Sequence, residues 1–148
     1  MIKVNKKTEY ALMSLKYMTS KSGDELTSAR ELCDRFQTPF DTMAKVLQMM
    51  NQHGLLTSVK GINGGYVLAK PLSTVSFHDL SFIIDGTKNE NFCHSSKGLC
   101  ELHAQCNISD PLENLNQKIQ NYLKTVSLQD LLVGNHVNGL SDVAEATQ

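Results

Sequence analysis

Apolar residues recur at helical spacing over residues 8–20, where Tyr10 or Ala11, Leu12, Leu15 and Met18 share one face, and Gly23 marks the expected end. Ser28 followed by Glu31 has the spacing of a capping box, in which each side chain satisfies the other residue's free amide. The helix it opens runs through Phe36, with Ala29, Leu32, Cys33 and Phe36 on its inner side; Cys33 reads as a small buried hydrophobe. Thr38-Pro39 predicts the next start, with Thr38 as N-cap, Pro39 at the first helical position and Asp41 favoured near the helix N-terminus. Met43, Val46, Leu47 and Met50 form its inner face, Asp41, Thr42, Lys45 and Gln48 point the other way, and Gly54 stops it.

The period then changes. Residues 55–60 (LLTSVK) and 66–69 (YVLA) read as two strands around Gly61-Ile62-Asn63-Gly64-Gly65, and Asn63-Gly64 is a hairpin signal because both residues tolerate positive φ. Ser76 with Asp79 caps a further helix that Gly86 closes. Residues 87–109 lack sustained periodicity. Asp110 as cap and Pro111 as first residue open a long helix, with Leu112, Leu115, Ile119, Tyr122, Leu123 and Val126 in one apolar stripe. Residues 127–132 (SLQDLL) suit a last short turn of helix, and the polar stretch after Gly134 is expected to be disordered.

The expected fold is mainly α with a small β-hairpin. A winged helix-turn-helix domain occupies residues 1–86, a cysteine loop 87–109, a helix suited to pairing with a second copy 110–133, and a tail 134–148. Two short helices joined by a tight turn, followed by a glycine-rich hairpin, form a pattern that holds duplex DNA. The candidate contacts are Ser28, Thr38, Pro39, Asp41, Thr42, Lys45 and Gln48 on the helices, and Lys60, Asn63, Gly64 and Gly65 on the hairpin. Asp41 reads equally well as a capping carboxylate only. Charge sharpens this picture. The formal net charge is -1, but residues 1–75 carry ten Lys/Arg against six Asp/Glu, and residues 76–148 carry four against nine. A basic first half is the mild electrostatic footprint of a phosphate-binding module.

Candidate chemistry lies in the acidic half. Cys93, Cys100 and Cys106 fall within the run CHSSKGLCELHAQC. No apolar run is long enough for a membrane span, and the N-terminus lacks the apolar core of a signal peptide, so a cytoplasmic protein is expected. In that compartment clustered thiols serve metal or redox chemistry more often than structural disulfides. The gaps of six and five residues are wide for tetrahedral zinc, whose cysteines come in closely spaced pairs, and suit a larger iron–sulfur cluster.

The run TEYALMSL, the SARELCDRF helix, KGINGGYVLAKP at the hairpin, the three-cysteine loop and SLQDLL occur in one order that resembles the IscR/NsrR-type winged-helix regulators of the Rrf-two superfamily. The resemblance covers roughly residues 1–133. It implies a homodimer on a palindromic operator. It also implies an iron–sulfur cluster, of the 2Fe–2S or 4Fe–4S type, held by Cys93, Cys100 and Cys106. In the nitric-oxide-sensing branch the fourth ligand is a carboxylate near the N-terminus of the other subunit, which matches Glu9 here. The IscR branch places a histidine three residues past the last cysteine, where this chain has Ser109. His94, His103, water or a small thiol are rival fourth ligands.

The function expected is that of a transcriptional regulator, a repressor, whose cluster senses nitric oxide, redox state or iron supply. One alternative keeps the fold but uses the cysteines as direct thiol sensors or a zinc site. Another is a small iron–sulfur electron carrier, which has no need of a wing. No nucleophile–base constellation, phosphate-binding loop or dinucleotide fingerprint suggests an enzyme.

Overall fold

The computed structural model describes residues 4–86, 94–95, 98–99, 101 and 105–134, with residues 94–95 and 98–99 described by their backbone alone. The chain forms α1 (Lys6–Thr19), α2 (Ala29–Phe36), α3 (Phe40–Gln52), β1 (Leu56–Val59), β2 (Gly65–Leu68), a 3-10 turn (Leu72–Thr74) and α4 (Phe77–Asp85). After these come the two-residue strands β3 (His94–Ser95) and β4 (Gly98–Leu99), then α5 (Ser109–Thr125) and α6 (Leu128–Leu132). The expected mainly helical fold with a small hairpin is the fold found.

One core joins the first three helices. Ala11, Leu15 and Met18 of α1, Leu32 of α2 and Met43, Val46, Leu47 and Met50 of α3 are all buried in it. Both capping boxes form as expected: Ser28 Oγ accepts from Glu31 N–H and Ser76 Oγ from Asp79 N–H, each at 3.1 Å.

Four local expectations need correction. The first helix starts at Lys6 rather than residue 8, because Asn5 caps it by accepting from Thr8 N–H at 2.9 Å, and it ends at Thr19, short of Gly23. Thr38 is not the N-cap of α3. Gln37 adopts a left-handed conformation (φ 52°), and the Thr38 N–H is drawn back to Cys33 O, so Pro39 takes the N-cap position. The hairpin loop spends its positive φ at Gly61 (127°), not at Asn63-Gly64, and a Gly64 N–H to Gly61 O bond of 3.0 Å closes the turn. Asp110 and Pro111 lie inside the first turn of α5, which begins two residues earlier than expected, at Ser109, with Ile108 in the cap position. Proline is tolerated there because its missing N–H would have had no helical partner.

β1 and β2 pair antiparallel, Leu56 with Leu68 through Val59 with Gly65. Thr27, just before α2, exchanges two backbone hydrogen bonds of 2.9 Å with Tyr66 of β2, so the hairpin is fixed directly to the helix-turn-helix. Farther along, Phe77 N–H donates to Val126 O and Leu128 N–H to Val75 O, both at 2.8 Å. These bonds pin the end of α5 to the start of α4 and break the helix at Val126. Leu128 of α6 is fully buried in the core. No helix among the described residues is long and apolar enough to cross a membrane.

Candidate nucleic-acid interface and cysteine site

α3 offers its outer face to solvent. Asp41, Lys45 and Gln48, at helical spacing, are exposed, Thr42 is half-buried at their flank, and Pro39 lies at the entry. No side chain caps the N-terminus, so the first-turn amides of α3 keep their free N–H groups, which favour an anion. The Thr38 Oγ1 beside them is buried without a hydrogen-bond partner among the described residues. Ser28 has a structural duty instead, since its hydroxyl is committed to the α2 capping box.

The orientation of α2 against α1 is fixed by a polar cluster. Lys21, with a side chain only 9% exposed, pairs with Glu31 at 2.6 Å and donates to Leu26 O at 3.0 Å. Tyr17 Oη donates to the same Glu31 carboxylate at 2.7 Å, and its ring meets Phe36 edge-on. Burial pushes the Glu31 carboxyl up, but hydrogen bonds from Lys21, Tyr17 and the Ser28 amide outweigh it and hold it below its ordinary value. A lowered folded pKa stabilises the fold above the unfolded carboxylate range. That contribution is lost as pH falls through the folded value.

In the wing, Lys60 and Asn63 are exposed, and neither Lys60 nor Lys45 enters an ion pair among the described residues. Gly64 and Gly65 have a reason that their sequence did not reveal. A Cβ on Gly64 would stand 2.3 Å from Val59 O, and one on Gly65 would stand 2.9 Å from Thr27 O. Both glycines are required by the crowding of the hairpin against its own backbone and against Thr27.

Two exposed apolar residues were missed by sequence reasoning. Phe40, the first residue of α3, is 53% exposed, and Ile62 in the hairpin turn is fully exposed. An apolar residue in a sequence is read as core by default. Only the turn composition around Ile62 could have marked it as outward.

Of the cysteine residues, Cys93 and Cys100 lie outside the described residues, as does His103. Cys106 is half-buried, carries a free thiol and precedes α5, where Ser109 Oγ donates to its carbonyl at 3.2 Å. His94 pairs antiparallel with Leu99. The chain therefore reverses between the residue after Cys93 and the residue before Cys100. Glu9 is half-buried in the first turn of α1 and accepts from Lys6 Nζ at 2.6 Å, which holds the lysine's pKa above its ordinary value. The same end of α1 is tied to α4, since Asn5 Nδ2 donates to Asp85 Oδ1, one residue before Gly86 and the path into the cysteine segment. Along its buried face α1 lies on α3, where Ser14 Oγ meets Met43 Sδ at 3.2 Å.

α5 touches α4, yet none of its side chains is fully buried. Leu115 and Tyr122 remain 47% and 58% exposed, and Ile108 before the helix and Phe82 of α4 are similarly open. The predicted apolar stripe is thus present and only partly covered by its own chain.

Comparison with known proteins agrees with this architecture. The family model described as Rrf2, iron-dependent transcriptional regulator, matches residues 4–134. Among solved structures the chain is similar to CymR (YrzC), the global cysteine regulator of B. subtilis, at 18% identity and a TM-score of 0.67, covering 92% of this chain and 100% of that one. Staphylococcus aureus CymR is similar at 17% identity and a TM-score of 0.67, with 90% and 99% covered. T. potens IscR is similar at 19% identity and a TM-score of 0.66, with 99% and 93% covered. These likenesses establish a shared fold, and the family match covers most of the sequence. The chain belongs to the Rrf2 family of transcriptional regulators and is not an enzyme.

Proposed function

We propose that this regulator is a homodimeric repressor whose hold on a palindromic operator is set by an iron–sulfur cluster responding to nitric oxide, redox state or iron supply. The observation that carries the reading is the set of three thiols, Cys93, Cys100 and Cys106, within fourteen residues of a chain in a family described as iron-dependent. The donor set fits the group. The Cys106 thiol is free, the hairpin of His94 with Leu99 supports Cys93 and Cys100 acting together, and Glu9 is open enough to reach a neighbouring molecule. When bound, the cluster would supply iron that is redox-active and, at a carboxylate-held position, open to small molecules.

The remaining steps belong to the chain itself. Cys93, Cys100 and Cys106 of one protomer and Glu9 of the partner subunit would hold the group. Glu9 sits in the first turn of α1, and α1 is packed along α3 through Ala11, Ser14, Leu15 and Met18. A displacement of Glu9 would therefore move the recognition helix with it. Two such helices must stand about one DNA turn apart, roughly 34–36 Å, to dock together. Small displacements would cost much affinity.

On the DNA, the free amides at the start of α3, with Thr38 and Pro39 next to them in the chain, would meet phosphate, while Ser28 would act through the α2 cap that its hydroxyl forms. Asp41, Thr42, Lys45 and Gln48 would face base edges in the major groove. Lys60, Asn63, Gly64 and Gly65 would lie along the backbone or minor groove.

The fold likeness extends to CymR, named a global cysteine regulator, so fold alone does not select the signal. The second reading keeps the DNA-binding function and lets the three thiols act directly or hold zinc. Metal analysis separates the two. Wild-type protein purified without oxygen should be brown and contain iron and acid-labile sulfide, and Cys106→Ser should lose most of both while keeping its helical circular dichroism. A colourless, zinc-containing wild type would favour the second reading.

A further inference from the structure

Ile62 has no role in the fold of this chain. Its relative exposure is 105%, whereas the other exposed large apolar side chains among the described residues lie between 36% and 58%. It occupies the second position of the Gly61–Gly64 turn, where glycine, proline, asparagine, aspartate or serine is the ordinary choice and a β-branched apolar residue is not. Neither packing nor turn chemistry accounts for it. The turn that carries it is firmly held. The Gly64 N–H to Gly61 O bond closes it, the crowding at Gly64 fixes its shape, and the Thr27–Tyr66 pair anchors its base to the helix-turn-helix. Lys60 and Asn63, both exposed, flank it.

We propose that Ile62 is an apolar wedge for the minor groove of duplex DNA. The proposal rests on the reading of residues 60–65 as a DNA-contacting wing. Isoleucine is one of the side chains that minor-groove proteins insert at a base step. Lys60 beside it can neutralise phosphate while the side chain enters. Insertion is easiest at pyrimidine–purine steps, which unstack at low cost, so Ile62 reads sequence through deformability rather than through hydrogen bonds. An apolar contact releases no counterions, so its contribution is independent of salt, unlike that of a lysine on phosphate.

The test uses a duplex selected from a random-sequence pool by the wild-type protein. Its binding to wild type, Ile62→Ala and Lys60→Ala is measured across a range of salt concentrations. Ile62→Ala should bind about tenfold more weakly at every salt concentration, as expected for one apolar side chain left unburied, with the wild-type slope of log affinity against log salt. Lys60→Ala should flatten that slope by about one for each phosphate left without its lysine. A 2-aminopurine placed at the contacted step should brighten on binding wild type, because the base is unstacked, and not on binding Ile62→Ala. If Lys60→Ala acts as expected and Ile62→Ala binds like wild type, the wedge is overturned and the wing reading stands. If neither substitution changes binding, the wing reading falls too. A weaker Ile62→Ala with no unstacking signal, or with a changed salt slope, overturns insertion.

Discussion

Gly64→Ala should leave the helical core folded and remove most operator binding. The added Cβ would stand 2.3 Å from Val59 O and 2.9 Å from Gly61 O, and both are backbone atoms of the same hairpin. No side chain can rotate away to relieve the clash, so the turn itself must open. Forcing extra volume into a packed site costs about 1–3 kcal/mol, and a 2.3 Å approach to backbone lies at the upper end of that range. The strain falls on the Val59–Gly65 end of the ladder, while Leu15, Leu32, Leu47 and Met50 lie in the core outside the hairpin. Circular dichroism should therefore stay close to wild type while affinity for a selected duplex drops at least about a hundredfold, as that strain energy implies. Retained affinity would mean that the hairpin is not part of the DNA surface.

Leu115→Asp should convert the proposed dimer to monomer. Leu115 is 47% exposed at the middle of the α5 stripe, between Ile108 and Tyr122, which are open as well. A seventeen-residue helix with no fully buried side chain gains little from its own domain. In the proposed dimer a second copy covering the stripe would supply the missing burial. A charge placed at the centre of an apolar interface costs about 2 kcal/mol or more, and a symmetric dimer meets it twice. The dimer dissociation constant should rise about a thousandfold, which sedimentation measures directly. The lone protomer should keep its thermal transition, since the substituted side chain is half solvated already. If Leu115→Asp sediments like wild type, the stripe faces something other than a second copy.

Much of this molecule is legible from local chemistry. The Ser28–Glu31 and Ser76–Asp79 boxes and the inner face of α3 follow from spacing alone, because caps and helical stripes are short-range properties. What escapes is set by contacts between distant residues. Thr38 has the side chain of an N-cap, but the left-handed Gln37 turns its amide back to α2 and gives the position to Pro39. Gly64 and Gly65 look like freedom of φ and prove to be a matter of space against Val59 and Thr27. The Lys21–Glu31–Tyr17 cluster joins residues with no shared period. The pairing of residues 75 and 77 with 126 and 128, which ends α5, leaves no trace in the pattern of either segment. Of the residues proposed to hold a cluster, Cys106 and Glu9 lie among the described residues, and Cys93 and Cys100 lie outside them.

In the proposed function the three-cysteine site governs DNA binding. The direct measurement is the affinity of one anaerobic, iron-loaded sample for a selected duplex, taken before and after exposure to nitric oxide. Exposure should lower affinity by at least about tenfold, as expected if the two recognition helices no longer match one DNA turn. Equal affinity before and after would mean that the three-cysteine site does not govern DNA binding.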